Sequence, residues 1–584
     1  MTLQTPLARA QSHLMNGQYK QALKSAKAAM ARAPKDARLP NLVGVAMCGL
    51  GQQREALAMF QKAMKLDPGF PDPHRNLGQT LILLGQADKA LTVLERLCAT
   101  QPGDEGAQYL VAQALANLGR SEAAEAAAGR AIALAPRQAR SYNLRGLMRD
   151  QMGQSDAALR DFETALDIDP NNIETLINIS LPLARQLRQE EALAVVRKAV
   201  ALAPGHVGAH LRLATALTET GDRQAAAAEY QRVLKLDPRN AQAIEQLSLL
   251  QDPAENAALA PVAQAALKRA PARGADKALL NFALARIADQ ADDIPRAARH
   301  WAEANRDMAR QRPYDPEADT ALNDRLLGYF PLPPAMAEEE IITPIYVLGL
   351  PRSGTTLAEA ILAAHPQVAG LGEQIAAGRY FYPLVEAQSP IGATELAQFR
   401  SFETQQHPPL PAGSRAFVDK MPENYRLLGF LAAAHPRARI VHLTRDPRDI
   451  ALSMWRSQFQ GGALNYTYDL RAMGHRFNLY ARMMQRWHAL FPDRIFDLSY
   501  EAMTADIDAA SRQLADHCGL DWQAQMARPH ETGAAVLTMS ATQLRQPVHR
   551  RSVGKWRAYA EILAPFTETL DPALWPGVSD TGQP

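Results

Sequence analysis

One arginine, one serine and two threonines set around a pair of glycines are the residues in this sequence best arranged for chemistry. The segment reads Gly349-Leu-Pro-Arg352-Ser353-Gly354-Thr355-Thr356. Backbone N–H groups of such a turn, with those opening a following helix, converge on an anion. The glycine spacing fits the phosphate-loop pattern Gly-x-x-x-x-Gly-Lys-Ser/Thr, but Thr355 stands where the lysine belongs. That lysine normally reaches the β- and γ-phosphates, so its absence argues against a nucleoside triphosphate hydrolase. Arg352 enters the loop earlier, where it can contact an anionic group. The plain alternative is a glycine turn between strand and helix with no ligand.

A second anchor lies about ninety residues on. ARIVHLT, residues 438–444, reads as a buried parallel strand, with Arg445 at its carboxyl end. Ligands of open α/β sheets bind at such ends. Asp446 suits an N-cap and Pro447 the first helical position. Ser453 follows two turns into that helix. A guanidinium at the strand tip and a hydroxyl on the helix can grip a second, separate phosphate. Read singly, Ser453 is a solvated helix serine and Arg445 a surface salt-bridge partner.

Further charged groups cluster in the same region. Glu373 lies in HPQVAGLGEQ, in a turn after the first helix. Lys420 ends the short strand RAFVD. Tyr500 follows the strand RIFDLS, where it either contacts a ligand or packs. Residues 540–556, SATQLRQPVHRRSVGKW, hold Ser540, Arg550, Arg551 and Lys555 ahead of a tryptophan. Read singly, Glu373 is a surface or capping glutamate and Lys420 an exposed cation. His442, inside the second strand, reads as a core histidine, and His365 as shaping the loop that carries Glu373.

PRSGTTL and the Arg445-to-Ser453 spacing resemble the 5′-phosphosulfate loop and the 3′-phosphate motif of sulfotransferases. They are most similar to the tyrosylprotein branch, and the resemblance covers about residues 341–560. It implies 3′-phosphoadenosine 5′-phosphosulfate as donor, held by Arg352, Ser353, Gly354, Thr355, Thr356, Arg445, Ser453 and Tyr500. It implies Glu373 as base, Arg352 and Lys420 at the leaving phosphate, and Ser540 at the transferring group. By the same resemblance Arg550, Arg551 and Lys555 sit on a basic loop over the 3′-phosphate and adenine. No metal is implied, because a phosphosulfate leaving group does not need the bridging magnesium of a triphosphate. A loose transition state leaves position and charge stabilisation as the main tasks.

The elements that must carry these groups are a strand, loop and helix repeated around a parallel sheet, from about residue 341 to 575. Ahead of them stands a repeat. Prolines recur every 34 residues, from Pro34 through Pro68, Pro102, Pro136, Pro170 and Pro204 to Pro238. Seventeen residues before each stands Gly17, Gly51, Gly85, Gly119, Gly153, Leu187 or Gly221, and five after that Ala22, Ala56, Ala90, Ala124, Ala158, Ala192 or Ala226. Glycine allows the tight turn between two helices, alanine their close approach, and proline the break to the next pair. The period resembles the tetratricopeptide repeat, over about residues 3–238. The expected fold is thus an α-solenoid of tetratricopeptide repeats over 1–240, further helices and a cap over 241–312, a linker at 313–340 and an α/β sulfotransferase domain over 341–575. All six tryptophans fall at or after Trp301, which fits a change of domain type there.

Composition narrows the partners. A net charge of +2 gives no global field to recruit nucleic acid or an anionic membrane. No apolar run reaches the roughly 18 residues of a spanning helix. The N-terminus lacks a secretory pattern, and three isolated cysteines, Cys48, Cys98 and Cys518, show no metal spacing. The chain reads as soluble and cytoplasmic. The repeats imply a groove for a protein or peptide substrate, with a spacer or homodimer role as the alternative. The expected reaction is sulfuryl transfer to a hydroxyl, with a protein tyrosine as leading acceptor. The alternatives are a carbohydrate or small-metabolite acceptor, a phosphotransferase, or a scaffold with an inert nucleotide-binding domain. The acceptor pocket is expected between residues 374 and 412 and around 457–480.

Overall fold

The computed structural model describes residues 6–186, 188–271, 274–332, 342–459, 462, 464–531 and 548–578. The chain divides into two compact units, Met1–Leu202 and Ala203–Pro584. Among the described residues, no helix is long and apolar enough to cross a membrane.

The first unit consists of paired helices. Arg38–Gly49 and Gln53–Leu66 meet at Gly51, whose φ of +78° lies where a Cβ would be strained. Close packing explains the small residues inside each pair. A Cβ added at Gly44 would stand 2.5 Å from the Phe60 ring, and one at Gly78 2.7 Å from Leu94. Ala56, Ala90, Ala124 and Ala158 are fully buried at these crossings. Each second helix stops two residues before its proline, at Leu66, Thr100 and Leu134 for Pro68, Pro102 and Pro136. The residue before a proline is pushed out of the helical region, which sets that limit. Position 187, where leucine replaces the glycine, lies outside the described residues.

The second unit opens with the seventh pair, Val207–Thr220 and Arg223–Leu236, which turn at Gly221 with φ +89°. Helices Ala241–Leu250, Pro253–Arg269, Ala275–Gln290 and Ile294–Gln311 follow. The segment expected to be a linker, 313–340, departs from that expectation. A helix, Pro316–Gly328, lies within it, with Asp315 as N-cap accepting from Ala318 N at 3.0 Å. Pro316 is therefore a helix starter, not a breaker. Asp319 on this helix is buried and takes Nη1 of Arg476 at 2.6 Å and Nη2 of Arg426 at 2.8 Å.

The sheet has five strands: β1 Thr343–Gly349, β2 Val368–Gly370, β3 Ala416–Asp419, β4 Arg439–Thr444 and β5 Ile495–Ser499. All neighbours run parallel, in the order β2-β3-β1-β4-β5. β1 is central and buried on both faces, as its unbroken apolar sequence requires. Ile345, Val347, Val441 and Leu443 face a layer that includes helices Thr355–Ala363 and Ile507–Cys518. Tyr346, Leu348 and Ile440 belong to the opposite core, shared with Phe282, Trp301 and Met308 of the last helical hairpin. The last two helices of the array thus share the core of the sheet domain. The carboxyl ends of β3, β1 and β4 lie side by side, and the chemically equipped residues stand there.

Candidate active site

β1 ends in a turn that tolerates little substitution. A Cβ at Gly349 would lie 2.7 Å from the Leu443 carbonyl oxygen, and one at Gly354 2.5 Å from the Tyr500 ring. Arg352, not a glycine, holds φ at +71°, a strained setting for a side chain of its size. Helix Thr355–Ala363 begins at once, so its first N–H groups open onto the turn. Ser353 is fully buried, and its Oγ has no hydrogen-bond partner among the described residues. Buried polar atoms normally find a partner, so this orphan suits a ligand.

The two segments read from the sequence as anion anchors meet. Arg352 Nε donates to Ser453 Oγ at 3.0 Å, and Arg445 Nη1 donates to the Arg352 carbonyl at 3.0 Å. The meeting follows from the sheet, because β1 and β4 are neighbours. Arg445 also donates to the Ser552 carbonyl at 2.7 Å and lies over the Tyr500 ring at 4.3 Å, while its Nε is buried without a partner among the described residues. Tyr500 OH and Ser552 Oγ are 2.9 Å apart. Burial first of all, and then the neighbouring Arg445 guanidinium crowded against it, push Arg352 down to about 10. An anion placed between them relieves that crowding.

A second cluster stands on the adjoining strand end. Lys420 is fully buried, and its Nζ lies 2.6 Å from Glu373 Oε1, whose side chain is 45% exposed. Lys420 N donates to the Gly372 carbonyl at 2.9 Å, and Gly372 N donates to Glu359 at 2.7 Å. Asp419 accepts from Gln374 N at 3.2 Å and Asn424 Nδ2 at 2.9 Å, and burial pushes its carboxyl well above the usual range. Glu373 is thus carried on a turn stitched to β3, with its carboxylate reaching solvent.

Glu359 offers a pH test of that stitching. Burial pushes its carboxyl above the usual range, against the pull of Lys420 and of the Gly372 N–H. The folded state then holds the proton more tightly than the unfolded chain does. Glu359's contribution to stability is present at acid pH and is lost as pH rises through the raised folded value. Glu359→Gln keeps an acceptor for Gly372 and removes the ionisable group. Its Tm is expected to fall less than the parent's from about pH 4 to about pH 7, a range starting near the ordinary glutamate value. Parallel profiles would show that Glu359 does not titrate differently on folding.

The remaining expected residues divide. Thr355 and Thr356 are buried at the helix start. Arg550 and Arg551 are exposed. Lys555 turns to Asp289 of helix Ala275–Gln290 at 3.2 Å. Ser540 lies outside the described residues. His442 is a fully partnered strand residue, with Nδ1 2.6 Å from Asp497 and Nε2 bonded to Tyr480 OH.

Several positions had escaped the sequence reading. Asp449 accepts from Gly554 N at 2.6 Å and Trp556 N at 3.0 Å, and Arg448 lies 3.7 Å over the Trp556 ring. Asp449 fixes the segment bearing Ser552. Its place in the first turn after Asp446-Pro447 reads as ordinary helix-dipole chemistry, so its partner a hundred residues away left no local trace. Glu359, Asp419, Ser552 and Asp289 are of the same kind.

Residues 344–524 match the sulfotransferase family, and residues 49–113, 106–138, 139–172 and 188–248 match tetratricopeptide repeats. The chain therefore joins tetratricopeptide repeats to a domain of the sulfotransferase family. An uncharacterized protein of Aquifex aeolicus is 27% identical over 402 residues, 65% of this chain and 52% of that one. Protein-tyrosine sulfotransferase 2 of Gallus gallus is 21% identical over 245 residues, 36% of this chain and 62% of that one. Nodulation protein NoeE of Sinorhizobium fredii is 28% identical over 126 residues, 19% of this chain and 30% of that one. The chain thus spans less than two thirds of the length of each of these relatives. Among solved structures, a thermophilic repeat protein of Thermus thermophilus is 27% identical, covering 31% of this chain and 99% of that one, with a TM-score of 0.29. The structure of MamA is 27% identical, covering 27% of this chain and 94% of that one, with a TM-score of 0.25.

Proposed function

We propose that this chain transfers a sulfuryl group from 3′-phosphoadenosine 5′-phosphosulfate to a hydroxyl, with a tyrosine of a protein or peptide recruited by the repeats as acceptor. The observation that carries the reading is the contact of Arg352 with Ser453 and of Arg445 with the Arg352 carbonyl, 3.0 Å in each case. Two anion-binding elements read separately from the sequence meet at the ends of adjoining strands. The orphaned Ser353 Oγ and Arg445 Nε supply donors that an anionic nucleotide would satisfy.

In this reading Ser353 to Thr356 and Arg352 hold the 5′ end, while Arg445, Ser453 and Tyr500 hold the 3′ end. Arg550, Arg551 and Lys555 stay assigned to the 3′-phosphate and adenine loop by resemblance. Glu373 takes the acceptor proton as the acceptor oxygen bonds to sulfur and the bond from sulfur to the phosphate oxygen breaks. Lys420 and Arg352 balance the negative charge gathering on that leaving oxygen, and Ser540 is assigned to the transferring oxygens by resemblance alone. Protonation of Glu373 frees Lys420 from its ion pair at the step where the leaving phosphate needs a cation.

Titration calorimetry of the whole chain with 3′,5′-bisphosphoadenosine, with magnesium chelated, tests the reading. Binding is expected with an affinity that added magnesium leaves within about twofold, because phosphate contacts here come from protein cations rather than a bridging metal. No binding, or binding only with magnesium, would move the chain to a phosphotransferase or scaffold role.

A further inference from the structure

Helix Ala275–Gln290 belongs to the helical array, yet its last turn reaches into the candidate site. The Asp289 side chain is buried there and gathers three donors from the sheet domain. Arg456 Nη2 and Tyr559 OH both bond its carboxylate, and Lys555 Nζ lies 3.2 Å from Oδ2. Arg456 directly follows helix Pro447–Trp455, which carries Ser453. Lys555 and Tyr559 bound the short helix after Ser552 and Gly554. A single carboxylate therefore ties together the two segments whose inner sides hold Arg352 and Arg445.

The surroundings make this carboxylate hard to replace. The Trp301 ring has Arg456 at 4.7 Å, Tyr559 at 5.6 Å and Trp455 at 6.2 Å, and Asn305 donates to the Trp455 carbonyl at 2.8 Å. The cations at the junction are Arg286, Arg456 and Lys555. Arg286 faces Glu245 at 3.2 Å, which leaves Asp289 as the carboxylate shared by the other two. Burial and Arg456 push Lys555 down, and burial first of all pushes Arg286 down. Without the charge of Asp289, Arg456 and the part-exposed Lys555 are left as neighbouring like charges that repel each other.

We propose that Asp289 is a positioning residue for donor binding, supplied by the helical array, which holds the Ser453 helix and the Ser552–Tyr559 segment in register so that Arg445 and Arg352 face one nucleotide. The proposal rests on the donor-site reading above. It gives the last helical hairpin a task in the reaction besides recruitment.

The test compares Asp289→Asn with the parent in three readouts: affinity for 3′,5′-bisphosphoadenosine, the split of KM for donor against kcat, and amide exchange of residues 548–560. Affinity is expected to fall about tenfold or more and donor KM to rise in step, with kcat at saturating donor within about threefold, because a positioning loss acts on the bound geometry of the donor. Exchange of the Gly554 and Trp556 amides, both held by Asp449, is expected to speed up. Asp289→Glu is expected to recover part of the affinity. A folded Asp289→Asn protein with parental affinity and parental exchange would overturn the proposal. Where Asp289→Asn does not fold, Tyr559→Phe removes one donor to the same carboxylate, and parental affinity in that variant would overturn it equally. A parent that fails to bind the nucleotide would instead sink the donor-site reading, and the exchange result would then decide the structural coupling alone.

Discussion

Replacing Glu373 by glutamine is expected to lower kcat for sulfuryl transfer by about 10²- to 10⁴-fold, the range for losing a positioned general base. Affinity for 3′,5′-bisphosphoadenosine is expected to stay within about threefold of the parent, since no nucleotide contact is assigned to this side chain. Glutamine is the informative choice. Its carbonyl oxygen still accepts from Lys420, which sits fully buried 2.6 Å from the carboxylate. Alanine would strip that partner from a buried ammonium, a loss that has nothing to do with proton transfer. Glu373 is itself 45% exposed, so the isosteric change costs the fold little. Single-turnover transfer from labelled donor, with enzyme in excess, reads the chemical step directly. A variant turning over at the parental rate would remove Glu373 as the base and leave Lys420 as the part of this pair with a role.

The division between what the sequence disclosed and what it hid follows sequence distance. The repeats were legible because each is local. A glycine, an alanine and a proline at fixed offsets describe one helical hairpin, and stacking copies of it needs no further information. The phosphate loop and the Arg445 segment were legible for a related reason, since each is a strand, a turn and a helix start in unbroken order. That they meet was implied by the family resemblance alone and is not derivable from the two segments themselves. It depends on β1 and β4 being neighbours while β3 inserts on the other side of β1, and strand order is not written in either segment.

The helix Pro316–Gly328 was misread for an instructive reason. Prolines at 313, 316, 331, 333 and 334 looked like a linker, yet one of them opens a helix behind an aspartate cap. Asp319 then pairs with Arg476 and Arg426, both distant in sequence. Lys555 is a similar case. Its place in a basic run points to the nucleotide loop, while the partner it takes in the structure, Asp289, stands 266 residues earlier in the chain. Charge runs tell which residues need partners, and only the fold tells which partners they get.

Replacing Arg445 by alanine is expected to weaken 3′,5′-bisphosphoadenosine binding by about 10²-fold or more, since truncating a half-buried charge that is hydrogen-bonded to the ligand costs toward the lower end of about 2–5 kcal/mol. Three contacts go at once: the Arg352 carbonyl, the Ser552 carbonyl and the Tyr500 ring. Lysine keeps the charge but lacks the fork that reaches two carbonyls, so Arg445→Lys is expected to recover only part of the loss. Comparing nucleotides localises the effect. Adenosine 5′-monophosphate lacks the 3′-phosphate, and the parent is expected to bind it far more weakly than the bisphosphate. If Arg445 grips the 3′ end, alanine erases most of that preference while leaving monophosphate binding nearly unchanged. If both nucleotides weaken equally, Arg445 acts only through the backbone of the Arg352 loop, and the 3′-phosphate must be sought elsewhere. Because Arg352 and Arg445 are crowded cations in the free protein, the same variant is expected to lose less affinity at high salt than at low, as screening weakens the charge that the parent uses.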